Sequence, residues 1–105
     1  MRMYEIEAWG RKHNVSLHAS RYVDNGNLAV CLDEELEGPY ATITVNLGRL
    51  NDGFADVDTN NCSWAVKFLE ENGLAEFTGK TCRSGFCEYP LYKFNMEKIV
   101  GGMFE

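Results

Sequence analysis

With 105 residues, a formal net charge of −6, 45% hydrophobic and 25% charged residues, the chain has the make-up of a single globular domain over residues 1–105. That composition excludes a disordered tail, a coiled coil and a collagen-like chain, and no apolar run reaches the roughly 20 residues of a membrane helix. Glu5 stands where the apolar stretch of a signal peptide would begin, which argues for a cytoplasmic location.

The first half alternates with period two. Tyr4, Ile6 and Ala8 alternate with Glu5, Glu7 and Trp9. Val15, Leu17 and Ala19 do so with Asn14, Ser16, His18 and Ser20, and Leu28, Val30 and Leu32 follow. Ala41, Ile43, Val45 and Leu47 then alternate with Thr42, Thr44 and Asn46. Each pattern predicts a strand with one buried face. Gly10-Arg11, Asp24-Asn25-Gly26 and Gly38-Pro39 supply turns, and Asn25-Gly26 predicts a type I′ hairpin. The result is an antiparallel meander over residues 3–47.

The second half changes period. Trp64, Ala65, Phe68 and Leu69 recur at helical spacing, with Asn72-Gly73 as a stop and Asn60, Asn61 or Ser63 as candidate caps. This predicts a helix over 62–72 that buries Trp64, Phe68 and Leu69 against Leu17, Val30, Ile43 and Val45. Glu70 and Glu71 sit at the end of that helix where its dipole disfavours acids. Leu74 to Thr78 predicts a short strand, and Tyr89 to Phe94, carrying Pro90, an edge strand. The fold class is α+β: an antiparallel meander of about four to six strands packed against one main helix.

Charge is unevenly placed. Residues 24–76 carry eleven acids against only Arg49 and Lys67. Such a stretch repels phosphate backbones, so direct nucleic-acid binding is not expected, and it suits a partner with a basic surface. A solvated face kept for solubility is the alternative. Cys31, Cys62, Cys82 and Cys87 read as reduced thiols, because only the last two are close enough for a zinc-type pair.

No motif of catalysis is complete. Asp56-Val57-Asp58-Thr59-Asn60 opens like a calcium loop, but Asn61 and Lys67 stand where glycine and the closing glutamate belong. His13 and His18 are five apart in one strand and point to opposite faces. Arg83-Ser84-Gly85-Phe86-Cys87 lacks the elbow of a hydrolase nucleophile. No cofactor, metal or catalytic residue is therefore assigned. Aromatic residues outnumber what turns need, so Phe86, Tyr89 and Tyr92 are candidate interface anchors beside Arg83 and Lys93.

Four strings are specific: residues 21–28 (Arg21-Tyr22-Val23-Asp24-Asn25-Gly26-Asn27-Leu28), 57–64 (Val57-Asp58-Thr59-Asn60-Asn61-Cys62-Ser63-Trp64), 68–74 (Phe68-Leu69-Glu70-Glu71-Asn72-Gly73-Leu74) and 83–92 (Arg83-Ser84-Gly85-Phe86-Cys87-Glu88-Tyr89-Pro90-Leu91-Tyr92). They resemble an uncharacterised family of small proteins carried by bacterial conjugative elements and prophages. The chain looks like a type II-A anti-CRISPR protein. That resemblance implies a non-enzymatic inhibitor of the RNA-guided DNA nuclease, whose basic channel and motif-reading arginines expect phosphate. Glu34, Glu35, Glu37, Asp52, Asp56 and Asp58 would then replace phosphates, with Phe86, Tyr89 and Tyr92 as anchors. An adaptor or regulator of a mobile element is a second reading. A small thiol enzyme or zinc protein using Cys62, Cys82, Cys87 and a histidine is a third.

Overall fold

The alternation of the first half builds a sheet, as a computed structural model describing residues 3–100 shows. Strands β1 (Tyr4–Ala8), β2 (Arg11–Arg21), β3 (Leu28–Glu34) and β4 (Gly38–Thr42) form an antiparallel meander in chain order. A second antiparallel sheet has the order β5-β6-β8-β7, made of β5 (Thr44–Val45), β6 (Phe54–Val57), β7 (Ala75–Ser84) and β8 (Cys87–Phe94). Helix α1 (Ala65–Glu71) lies between β6 and β7 in the chain, and α2 (Met96–Val100) follows β8. Among the described residues, eight strands in two sheets replace the single meander with a few extra strands. The coarse class, antiparallel sheet with few helices, stands. No helix among the described residues is long and apolar enough to cross a membrane.

The turns are distributed differently from the sequence reading. At Asn25-Gly26 only the glycine has positive φ (+74°), so the turn is not type I′. Tyr22 and Asn27 close a longer loop there, and the Asn25 side chain accepts from Asn27 N–H. The two-residue turn with both φ positive is instead Trp9-Gly10 (50° and 77°), because Ala8 pairs directly with Arg11.

The sheet switch explains why alternation fails after Thr42. Ile43 is fully buried; its N–H donates to Val30 O (3.0 Å) and its own carbonyl accepts from Asp58 N–H (2.8 Å). Thr44 also turns inward, its hydroxyl oxygen accepting from Val30 N–H at 3.2 Å. Val45 and Leu47, expected in the core, are therefore only half-buried.

One core cluster joins both sheets: Val15, Val30 and Leu32 from the first, Ala55, Val57, Tyr92 and Phe94 from the second. Phe68 and Leu69 of α1 and Ile99 of α2 complete it. Trp64 is half-buried rather than buried, edge-on to Trp9 with ring centroids 5.9 Å apart.

Helix α1 starts without a side-chain cap from Asn60, Asn61 or Ser63. Asp58 organises the approach instead, its carboxylate accepting from Asn61 N–H (3.2 Å) and Nδ2 (3.0 Å). The end follows the sequence reading. Gly73, at φ 63°, donates to Glu70 O, and Leu74 N–H reaches back to Leu69 O, a Schellman closure.

Strand β8 is interior, not an edge strand. Pro90 is tolerated because β6 pairs only with Leu91 to Lys93, so the proline lies beyond the doubly paired stretch.

Candidate functional site: an acidic cleft

At one end of the second sheet, the segments around it leave a cleft of about 670 Å³. The turn before β6 contributes Asp52 and Gly53, the end of α1 Glu70 and Gly73, and the start of β7 Ala75 and Glu76. Lys93 and Phe94 close it from β8, Asn95 from the link that follows, and Met96 and Glu97 from α2. Four acidic residues and one lysine thus line it, Asp52 already paired with Arg21, and Ala75, Phe94 and Met96 add apolar surface. Gly53 is buried with φ 86°, and a Cβ there would only touch Met96 Cγ at 3.7 Å, so backbone geometry is what demands the glycine.

Position within the fold fixes these acids. Glu76 and Lys93 are directly paired across β7 and β8, and Lys93 with Phe54 across β8 and β6. Tyr92, one residue earlier and on the opposite face, is buried. Burial first, and then the nearby Glu70 charge, raise the Tyr92 phenol above its ordinary range, so it stays protonated. Asp52 is exposed and paired with Arg21 of β2 at 2.6 Å. No histidine, cysteine or serine is among the described lining residues. The chemistry on offer is ion pairing with a cation beside apolar surface.

The sequence-chosen residues scatter. Glu34 ends β3, half-buried, and bonds His13 Nδ1 at 2.9 Å. Glu35 and Glu37 are exposed in the turn to β4. Asp52 lies beyond the other end of β3, since its partner Arg21 pairs with Leu28. A seven-residue strand separates the two groups by about 20 Å, so they form no single patch.

Three choices are corrected by burial. Asp56 is 1% exposed, Asp58 7% and Tyr92 3%, so none is available as a surface contact. Asp58 serves the turn into α1, and Tyr92 the core. Phe86 is fully exposed at the tip of the β7–β8 hairpin, and Tyr89 is half-buried behind it. Of the cleft acids, the reading of the sequence included only Asp52. Glu70 did carry a signal, its unfavourable place at a helix C-terminus. Glu76 and Glu97 carried none, because their convergence depends on β7 and α2 meeting across β8.

The four cysteines are free thiols: Cys62 buried, and Cys31, Cys82 and Cys87 half-buried. Among the described residues, no three His, Cys, Asp or Glu side chains are grouped to hold a metal.

Fold and cleft define a small antiparallel β-protein with an acidic cleft. The chain belongs to the family described as a domain of unknown function (DUF4313), which it matches over residues 16–101. Neither the curated proteins nor the solved structures searched contain a match.

Proposed function

We propose that the protein is a non-catalytic binding module that docks its acidic cleft against a basic segment of a protein partner. The observation behind this reading is the cleft itself, lined by Glu70, Glu76, Glu97 and the Arg21-paired Asp52 with one lysine, beside apolar Ala75, Phe94 and Met96. Arginine or lysine side chains satisfy both features, since their stems lie on apolar surface while the heads meet carboxylates. The partner to test first is the RNA-guided DNA nuclease of type II CRISPR systems, with the protein acting as its inhibitor. Such nucleases hold nucleic acid in a basic channel and read DNA with arginines. Phe86, fully exposed at a hairpin tip, offers a second contact to the same partner.

The test is a DNA-cleavage assay with the purified nuclease. Wild-type protein should slow cleavage, less so at high salt, and the triple variant Glu70→Lys, Glu76→Lys, Glu97→Lys should not. If wild-type protein neither binds nor inhibits, the nuclease is not the partner. If the triple variant binds as well as wild type, the cleft is not the docking face.

A further inference from the structure

Both histidines of β2 hold carboxylates of β3, on opposite faces of one ladder. His13 Nδ1 meets Glu34 on the core-facing side, stacked beside Tyr40 with centroids 4.5 Å apart. His18 Nδ1 meets Asp33 Oδ2 at 2.6 Å on the outer side, where the two side chains are 40% and 30% exposed. The residue directly opposite His18 is Cys31. Directly opposed residues share a face, with Cβ atoms about 4.5–5.5 Å apart. Asp33 lies two residues along from Cys31, so it shares that face as well. A thiol, an imidazole and a carboxylate that orients the imidazole are therefore side by side.

We propose that Cys31 is a nucleophilic thiol served by His18 as base and Asp33 as positioning residue, and that low-molecular-weight disulfides such as glutathione disulfide modify it. Asp33 occupies the Nδ1 side of the ring, so Nε2 is the nitrogen left to take a proton, and a rotation of the Cys31 or His18 side chain would bring the two into the contact that nucleophile activation requires. Thr42 of β4 stands on the other side of Cys31, its Oγ1 3.6 Å from Sγ, and can donate to the sulfur as negative charge develops. The other charged groups of this face, Glu5 and Glu7 of β1 and Lys12 of β2, lie toward the far end of β2. On the β4 side the neighbours of Cys31 and Asp33 are Thr42 and Pro39, both uncharged.

The exchange balances without an added oxidant. The Cys31 proton passes to His18 Nε2 as its sulfur attacks one sulfur of the disulfide. One S–S bond breaks and another forms to Cys31, and the departing glutathione thiolate takes the proton back. The other cysteines lack this arrangement. Cys82 and Cys87 face Tyr89 and Ser84, and Cys62 is buried.

The reduced full chain is incubated with glutathione disulfide at pH 7, and each cysteine is followed by peptide mass spectrometry. Cys31 should be modified first, about tenfold or more faster than Cys82, a modest share of what a positioned base supplies. His18→Ala and His18→Gln should each remove that advantage, and added imidazole should restore part of it in His18→Ala. Asp33→Asn should slow Cys31 and Asp33→Glu should recover part of the rate. Continued protection of Cys62 reports that each variant is folded. Equal rates at Cys31 and Cys82, or an unchanged Cys31 rate in folded His18→Ala, would overturn the proposal.

Discussion

Lys98 Nζ donates to the Asn72 carbonyl at 3.2 Å, so α2 supplies the cation that α1 lacks at its own C-terminus. Glu70 and Glu71 leave the last turn of α1 without a basic residue, and the charge comes from a lysine 26 residues away. Lys98→Met should cost about 0.3–1 kcal/mol, with the difference shrinking in high salt, as read by urea denaturation.

Gly73 is a separate matter. Its Cβ would approach Lys98 Nζ at 2.9 Å, but that atom ends a flexible side chain and moves cheaply. The left-handed φ of 63° does not move. Gly73→Ala should therefore cost about 1–2 kcal/mol, and nearly the same in a Lys98→Met background. A double-mutant cycle checks this, and a coupling as large as the single cost would assign the effect to the contact instead.

Asp56 is buried with neither carboxylate oxygen hydrogen-bonded, and burial raises its pKa above the ordinary 3.8. The native state thus binds the proton more tightly than the unfolded one, so stability falls as pH rises from about 4 through the raised native value. Asp56→Val should flatten that dependence and raise stability at pH 7 by about 1–3 kcal/mol. Denaturation midpoints at pH 4 and pH 7 give both results.

Burial, and then the Asp58 charge, push the Cys62 thiol up to about 11. The same sign applies: stability conferred by the neutral thiol is complete below pH 9 and declines as pH rises through about 11. Cys62→Ala should remove this alkaline slope. In the native protein Cys62 should resist iodoacetamide at pH 7 and react only on unfolding.

Phe68, 5% exposed, should be worth more than the larger Trp64, which is half-buried. Phe68→Ala is expected to cost about 3–5 kcal/mol, and Trp64→Ala less, because part of the indole never leaves water. Chemical denaturation of both variants fixes the order.

Local pattern carried the first sheet well. Ile6, Ala8, Val15, Val30 and Leu32 alternate because one face of a meander rests on the core, and that is visible residue by residue. The helix stop at Asn72-Gly73 was equally legible. The second sheet was not, because β5 has two residues and β6 only four, too few for a period to declare itself. Pro90 suggested an edge, yet the partner strand simply ends before reaching it. The same non-locality hid the cleft, where Glu70, Glu76 and Glu97 come from three elements that only the fold brings together. Asp56 and Asp58 failed as surface acids because the alternating rule says which face a side chain takes, not what covers that face.

Ile43 belongs to the hydrogen bonding of both sheets at once, giving its proton to Val30 and receiving one from Asp58. A single residue thus works as a rivet between two halves that have no doubly paired strand in common. Neither half can loosen without breaking a bond at this residue, so thermal melting should occur as one event rather than two. Its amide proton should exchange with solvent only when the whole molecule opens, at the pace of the slowest core amides. Cutting the chain at this residue should leave fragments that do not keep their sheets alone, although mixing them could reassemble the pair.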